Sequence, residues 1–264
     1  MPAEGDVQTQ AATLPAAGRV CLPSRAVIFA NGELPRPERV RALVRPGDWI
    51  IAADGGAKHC RRLGLVPAVL IGDMDSLPSS ELHRQTRAGV ATVRFPEAKD
   101  YTDLELALAY AVEHGATEIL VCGVLGGRWD HTLANLALGL SPAFDQADIR
   151  FDDGETEILF LRNGTRHTLH GDAGDLVSLI PLGGDAIDVE TTGLLYPLAK
   201  ETLKFGSTRG VSNVLVAREA SVGLGAGSLV CLRTRSQPTD TPAGGTQRKR
   251  KAARQPRSRP GGKT

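Results

Sequence analysis

The sequence predicts an α/β fold: an N-terminal doubly wound domain with a mainly parallel sheet over about residues 24–147, then a small antiparallel β-sandwich domain over about 148–235. Three observations predict it. Short apolar runs alternate with helix-like patterns through the first half. Those runs lack polar alternation, which fits strands covered on both faces, as in a parallel sheet. After Asp148 the helical periodicity stops, and strand-like runs follow one another across Gly-rich turns.

In chain order, the first-half strands are expected at 26–30 (AVIFA), 48–53 (DWIIAA), 68–72 (AVLIG), 91–95 (ATVRF) and 118–124 (EILVCGV). A helix is expected over 79–88. A stronger one follows Thr102, with Leu104, Ala107, Leu108, Ala111 and Val112 on one face, a capping-box pair Thr102/Glu105 and Gly115 as its stop. Another starts near Asp130 and is expected to bury Leu133, Leu136, Ala137 and Leu140. In the second half, EILFLR at 157–162, Asn163-Gly164 and TRHTL at 165–169 predict a hairpin with a type I′ turn. Runs at 176–182, 186–192 and 228–234 continue as strands.

Both ends differ from this pattern. Residues 1–23 are rich in Ala, Gly, Gln and Pro, and residues 236–264 in Pro, Gly, Arg and Lys, so both read as disordered tails. The formal net charge of +1 splits into +7 on the C-terminal tail and −6 on the rest. That split argues against a nucleic-acid-binding domain; only the basic tail could hold RNA or an anionic lipid by charge, and it could equally be a solvated extension. No apolar run approaches the ~20 residues of a membrane span, and no secretory signal pattern opens the chain, so a cytoplasmic enzyme without membrane contact is expected. Cys21, Cys60, Cys122 and Cys231 stand singly, without metal or redox spacing, and read as buried thiols. With only 4% aromatic residues, Trp49 is assigned to the core and Trp129 to a wall of the site.

The chemistry is expected at the carboxyl ends of the parallel strands, where open α/β sheets bind ligands. Five loops there carry polar or glycine-rich sequence: Asn31-Gly32; Asp54-Gly55-Gly56; Asp73-Met74-Asp75-Ser76; Lys99-Asp100-Tyr101-Thr102-Asp103; and Gly126-Gly127-Arg128-Trp129-Asp130. Each has an ordinary reading as a turn or helix cap. Together they do not: two carboxylates ~4 Å apart repel by about 4 kcal/mol at an effective dielectric near 20, so gathering Asp73, Asp75, Asp100, Asp103 and Asp130 calls for a cation. Mg2+ suits oxygen ligands shared with substrate phosphates. Glycines allow close approach to phosphate, and Lys99 and Arg128 can offset charge on transferring oxygens.

These motifs resemble the thiamine pyrophosphokinase (thiamine diphosphokinase) family. The resemblance lies in ADGGA at 53–57, IGDMDS at 71–76, KDYTD at 99–103, GGRWDH at 126–131, TTGL at 191–194 and SN at 212–213, in family order over about 24–235. It implies an ATP-binding α/β domain, a thiamine-binding β-sandwich, and a homodimer with thiamine bound between subunits. The implied reaction moves the β,γ-diphosphate of ATP, the co-substrate, onto the thiamine hydroxyl, giving thiamine diphosphate and AMP. It further implies Asp73, Asp75 and Asp103 as magnesium or catalytic carboxylates with Asp100 and Asp130 beside them, and Lys99 and Arg128 on the phosphates. Asn31, Asp54, Gly55, Gly56, Ser76, Gly126 and Gly127 would line the nucleotide. Tyr196 stands where the family more familiarly has Trp, to stack on thiamine, and Ser212 and Asn213 can hydrogen-bond its aminopyrimidine edge. One Asp can serve as general base; the residues do not single it out, and Asp103 is the choice carried forward.

Two other readings stay open on the residues alone. A nucleotidyl- or glycosyltransferase also uses Asp-x-Asp to hold a metal-bound diphosphate, but leaves TTGLLY and Ser212-Asn213 unexplained. A non-catalytic thiamine- or nucleotide-binding protein has no need of so many acids.

Overall fold

The structure, a computed structural model, describes residues 23–74, 83–84, 87–95 and 100–236. Residues 1–22 and 237–264 of the two expected tails, Cys21 among them, most of the expected 79–88 helix, and the candidate site residues Asp75, Ser76 and Lys99 lie outside the described residues; His83, Arg84 and Arg87 are helical.

The parallel strands are β1 (Arg25–Phe29), β2 (Trp49–Ala53), β3 (Val69–Gly72), β4 (Ala91–Arg94), β5 (Glu118–Cys122) and β6 (Asp148–Asp152). The helices among them are α1 (Pro37–Leu43), α2 (Ala57–Arg62), α3 (Asp103–Glu113) and α4 (Trp129–Leu138). Strand side chains alternate between two apolar layers. On one face Ala26, Ile28, Ile51 and Ile71 meet Leu104, Ala107, Leu108 and Ala111 of α3. On the other, Val27, Phe29, Ala52 and Leu70 meet Val40 of α1 and Ala57 and Cys60 of α2. Helices thus cover both faces, and the uninterrupted apolar strand runs follow from that. The start and stop signals of α3 hold: Thr102 Oγ1 accepts from Glu105 N at 3.2 Å, and Gly115 takes φ +93°.

The antiparallel strands are β7 (Thr156–Arg162), β8 (Arg166–His170), β9 (Leu176–Pro181), β10 (Ala186–Thr192), β11 (Glu201–Leu203), β12 (Asn213–Val214), β13 (Glu219–Gly223) and β14 (Ser228–Thr234). The sandwich forms, but one of its sheets continues the parallel one, in the order β12-β9-β14-β7-β6-β5-β1-β2-β3-β4. The hinge of this ten-stranded sheet is β6, parallel to β5 and antiparallel to β7. The second sheet, β11-β10-β13-β8, packs Leu169, Val189, Leu203 and Val222 on Leu159, Leu161, Val177, Leu179 and Leu229 of the first.

Two local expectations are corrected. β7 and β8 do not form a hairpin: β7 pairs with β6 and β14, whereas β8 pairs with β13 in the other sheet. Asn163-Gly164 does make a tight turn, with Thr165 N donating to Arg162 O at 3.0 Å, but only Gly164 adopts positive φ (+73°), so it is not type I′. Asn163 Oδ1 instead accepts from Gly227 N, and the turn carries the chain between sheets. In α4 the buried face is rotated from the expected one: Thr132 and Asn135 are buried, Leu136 and Leu140 are half-buried, and Leu133 is 64% exposed. Packing against Phe160 sets this rotation. A Cβ on Gly139 would lie 2.1 Å from its ring, so the helix end approaches through a glycine, and Asn135 Nδ2 donates to the buried Val124 O at 2.9 Å. Trp49 is core, and Cys60, Cys122 and Cys231 are buried free thiols.

Candidate active site

β1 lies between β2 and β5, so the winding direction reverses between β1 and β5, and their carboxyl ends bound the crevice where such sheets bind ligands. The loops that follow are laced together by main chain: Ala30 N donates to Cys122 O, Gly32 N to Gly123 O at 2.7 Å and Glu33 N to Leu125 O at 2.8 Å. A Cβ on Gly32 would stand 2.5 Å from Gly123 O. Behind them, the His59 ring of α2 lies 2.9 Å by Nε2 from Gly32 O. Burial lowers the pKa of this imidazole, with the adjacent Lys58 and Arg62 charges acting in the same sense, so a neutral ring donates through Nε2–H.

The Asp54-Gly55-Gly56 turn is packed just as tightly. A Cβ at Gly55 would meet Asn31 Oδ1 at 2.3 Å, and one at Gly56 would meet Phe29 O at 1.9 Å. The two glycines therefore let β2's exit loop cross the end of β1, a role within the protein itself. Lys58 of α2 reaches back over this crossing, its Nζ donating to Asn31 Oδ1 at 2.7 Å and to Asn31 O at 3.1 Å. It is an exposed cation at the crevice that the sequence reading missed; its position four residues after Asp54, on the first turn of a helix leaving the site, was the available signal.

The acids converge next to β3. Gly72 has φ +144°, and a Cβ there would be 3.1 Å from Asp103 Oδ1 and 3.2 Å from Asp54 Cβ. Asp54, from the end of β2, and Asp103, from the start of α3, thus close over Gly72, with Asp73 the next residue. Asp54 is 8% exposed with φ +44°, and its Oδ1 is buried without a hydrogen-bond partner among the described residues. Donors of this kind are hard oxygens suited to Mg2+. Among the described residues no group of three His, Cys, Asp or Glu side chains is arranged to hold a metal ion.

Arg128 and Asp130 form a separate exposed pair on the loop into α4, with Arg128 Nε 3.1 Å from Asp130 Oδ1. The hydrogen bond from Arg128 lowers the Asp130 pKa to about 2. Gly126 and Gly127 both take positive φ; a Cβ at Gly126 would strike the Glu33 side chain, while Gly127 opens to solvent. Trp129 is 80% exposed, and Asp100 is exposed on the approach to α3.

Tyr196, Ser212 and Asn213 come together at the sandwich end. Asn213 Oδ1 accepts from Tyr196 N at 3.0 Å, and its Nδ2 donates to Tyr196 O at 2.7 Å. The buried amide thereby fixes a loop whose Tyr196 ring is exposed. Ser212, at φ +62°, is held by its N–H on Ser178 Oγ.

Residues 40–151 match the model described as thiamin pyrophosphokinase, catalytic domain, and residues 166–229 match that of thiamin pyrophosphokinase, vitamin B1 binding domain. The chain belongs to the thiamine pyrophosphokinase family. It is 31% identical over 186 residues to thiamine pyrophosphokinase of Bacillus subtilis (strain 168), covering 70% of this chain and 86% of that protein. It is 30% identical over 225 residues to thiamine pyrophosphokinase 3 of Oryza sativa subsp. japonica, covering 75% and 81%. The crystal structure of the Bacillus subtilis enzyme superposes with a TM-score of 0.72 at 28% identity, over 81% of this chain and all of that one. Thiamin pyrophosphokinase from Candida albicans, at 14% identity and TM-score 0.69, shares the fold. The family boundary falls between β6 and β8, where the chain leaves the parallel strands for the second sheet.

Proposed function

We infer that this chain is a thiamine diphosphokinase, transferring the β,γ-diphosphate of ATP to the hydroxyl of thiamine to give thiamine diphosphate and AMP. The observation that carries the reading is the closure of Asp54 and Asp103 over Gly72 at the carboxyl edge of the parallel strands, within the stretch that matches the catalytic-domain model. Residues 24–147 serve ATP and residues 148–235 serve thiamine.

Asp73, Asp75 and Asp103 would hold Mg2+, with Asp100 and Asp130 beside them. When bound, Mg2+ would supply Lewis-acid neutralisation of phosphate charge. The chain's own groups do the rest, because such transfers depend on positioning and charge compensation. Asn31, Asp54, Gly55, Gly56, Ser76, Gly126 and Gly127 line the nucleotide. Lys99 and Arg128 meet its phosphates, Arg128 exchanging Asp130 for phosphate oxygen. Asp103 takes the proton from the thiamine hydroxyl. Tyr196 stacks on the cationic thiamine ring; Ser212 and the remaining amide N–H of Asn213 address its aminopyrimidine edge.

A homodimer is supported by the bare outer face of β9. Val177 and Leu179 enter the inter-sheet core, whereas Leu176, Ile180, Val211 and Val216 are 40–50% exposed beside the Tyr196 loop. An apolar patch rimmed by polar residues marks an interface, and a second copy there would wall the thiamine site. No helix among the described residues is long and apolar enough to cross a membrane; ATP as co-substrate supports the cytoplasm as its location.

Purified protein given ATP, Mg2+ and thiamine is expected to form AMP and thiamine diphosphate in equal amounts. ADP and thiamine monophosphate would refute diphosphate transfer.

A further inference from the structure

Consecutive residues of α2 grip consecutive residues of the loop that leaves β1. Lys58 Nζ donates to both oxygens of Asn31, to Oδ1 at 2.7 Å and to O at 3.1 Å, and the next residue, His59, holds Gly32 O through Nε2 at 2.9 Å. On the β5 side, Gly32 N takes Gly123 O and Glu33 N takes Leu125 O. The oxygens at this corner of the crevice are thus engaged from within the protein, and donors are what remains.

We propose that Lys58 is a phosphate-contacting residue, forming with Asn31 a subsite for the phosphates of ATP at the carboxyl end of β1. The proposal rests on the diphosphokinase reading only for the identity of the anion. An ammonium has three N–H groups and no acceptor, so the atom of the Asn31 amide that faces Nζ is its oxygen. The amide lies over Gly55, where a Cβ would come within 2.6 Å of Nδ2. Neither Nδ2 nor the main-chain N–H of Asn31 meets an acceptor among the described residues. The third N–H of Lys58 is likewise unspent, because its hydrogen bonds all go to Asn31. Lys58 is exposed and has no carboxylate partner among the described residues, whereas Arg128, on the loop into α4, is paired with Asp130. A corner whose oxygens are taken, and which presents amide donors and an unpaired positive charge, disfavours a metal ion and suits an anion. The two tethers to Asn31 also hold the ammonium in place beforehand, so binding costs less side-chain freedom than a loose lysine would lose.

The experiment compares wild type with Lys58→Met and Lys58→Gln. Glutamine keeps a donor for Asn31 without the charge, which separates a tie for the loop from a contact to phosphate. The readouts are calorimetric affinities, in Mg2+, for α,β-methylene-ATP, inorganic triphosphate and adenosine, together with urea unfolding. Both variants should bind the ATP analogue and triphosphate about tenfold more weakly, near the lower end of what a hydrogen bond to a charged group contributes. The salt dependence of analogue binding should weaken as well, while adenosine affinity and the urea midpoint stay at the wild-type values. Wild-type analogue affinity in Lys58→Met overturns the proposal. So does recovery of that affinity in Lys58→Gln, which would make Lys58 a tie for the β1 loop, or an equal loss for adenosine, which would make it a nucleoside contact. Wild type that binds the analogue no more tightly than adenosine overturns it too. If the product assay shows no diphosphate transfer while both variants lose triphosphate affinity, the diphosphokinase reading fails and the phosphate subsite stands.

Discussion

Two groups of carboxylates stand along the same edge of the ten-stranded sheet, and the protein treats them oppositely. From the end of β6 onward, Asp152, Glu157 and Asp175 are buried and answered by arginines. Arg233 donates to Glu157 Oε2 through Nε and Nη2 and to Asp175 Oδ2 through Nη1 at 2.8 Å. Arg235 takes Asp152 in a two-pronged contact at 3.0 and 2.7 Å. Burial opposes ionisation of Asp175, yet the Ser236 N–H and Arg233 together lower its pKa. A few strands away, Asp54 faces Asp103 across Gly72 with Oδ1 left bare. Charges compensated by the chain hold strands β6, β7, β9 and β14 in register. At the other cluster, Asp54 Oδ1 has no hydrogen-bond partner among the described residues.

The largest expected effect breaks the paired group. Arg233→Met leaves Glu157 and Asp175 buried without their cation and should cost about 3–5 kcal/mol, read from urea unfolding, with activity per folded molecule retained. Asp73→Asn tests the opposite cluster: it should lower kcat by about 10²–10³-fold, the scale for removing one charge-positioning group, with the unfolding midpoint unchanged. If Asp73→Asn turns over normally at saturating Mg2+, or if Arg233→Met loses activity without losing stability, the division between the clusters fails.

Smaller effects sharpen it. Tyr196→Ala should raise the KM for thiamine by about two- to thirtyfold, from a cation–π contact of roughly 0.5–2 kcal/mol, with kcat and the KM for ATP little changed. His59 tests how the site loops are held. Its folded pKa lies below the unfolded value of ~6.5, so the native state binds fewer protons. Stability is then full above that value and is lost as pH falls below it. The urea midpoint should fall between pH 7.5 and 5.5, and His59→Gln should flatten that limb.

Much of this organisation was legible in the sequence, and the failures share one cause. β1 to β5 were readable because burial on both faces leaves uninterrupted apolar runs, and α3 because its cap and stop are local. β6 was missed because its sequence, DIRFD, alternates: Ile149 and Phe151 face the core, while Arg150 and Asp152 join the charged seam. The Asn163-Gly164 hairpin failed because the turn residues specify a reversal but not which sheet the chain enters next. Leu133 was misplaced because periodicity does not say which face of α4 can come close, a matter decided by Gly139 against Phe160. At the site, strand-end position picked out Asp54 and Asp103, which the structure brings together at Gly72. That Gly72 is the space between them, and that Asn213 spends its amide on the Tyr196 loop, depends on contacts between segments far apart in the chain.

The most direct measurement follows the β-phosphate. With ATP labelled at that position, thiamine and Mg2+, diphosphate transfer predicts that all transferred label appears in thiamine diphosphate and none in the AMP formed. Label retained in ADP, with thiamine monophosphate as the other product, would contradict it.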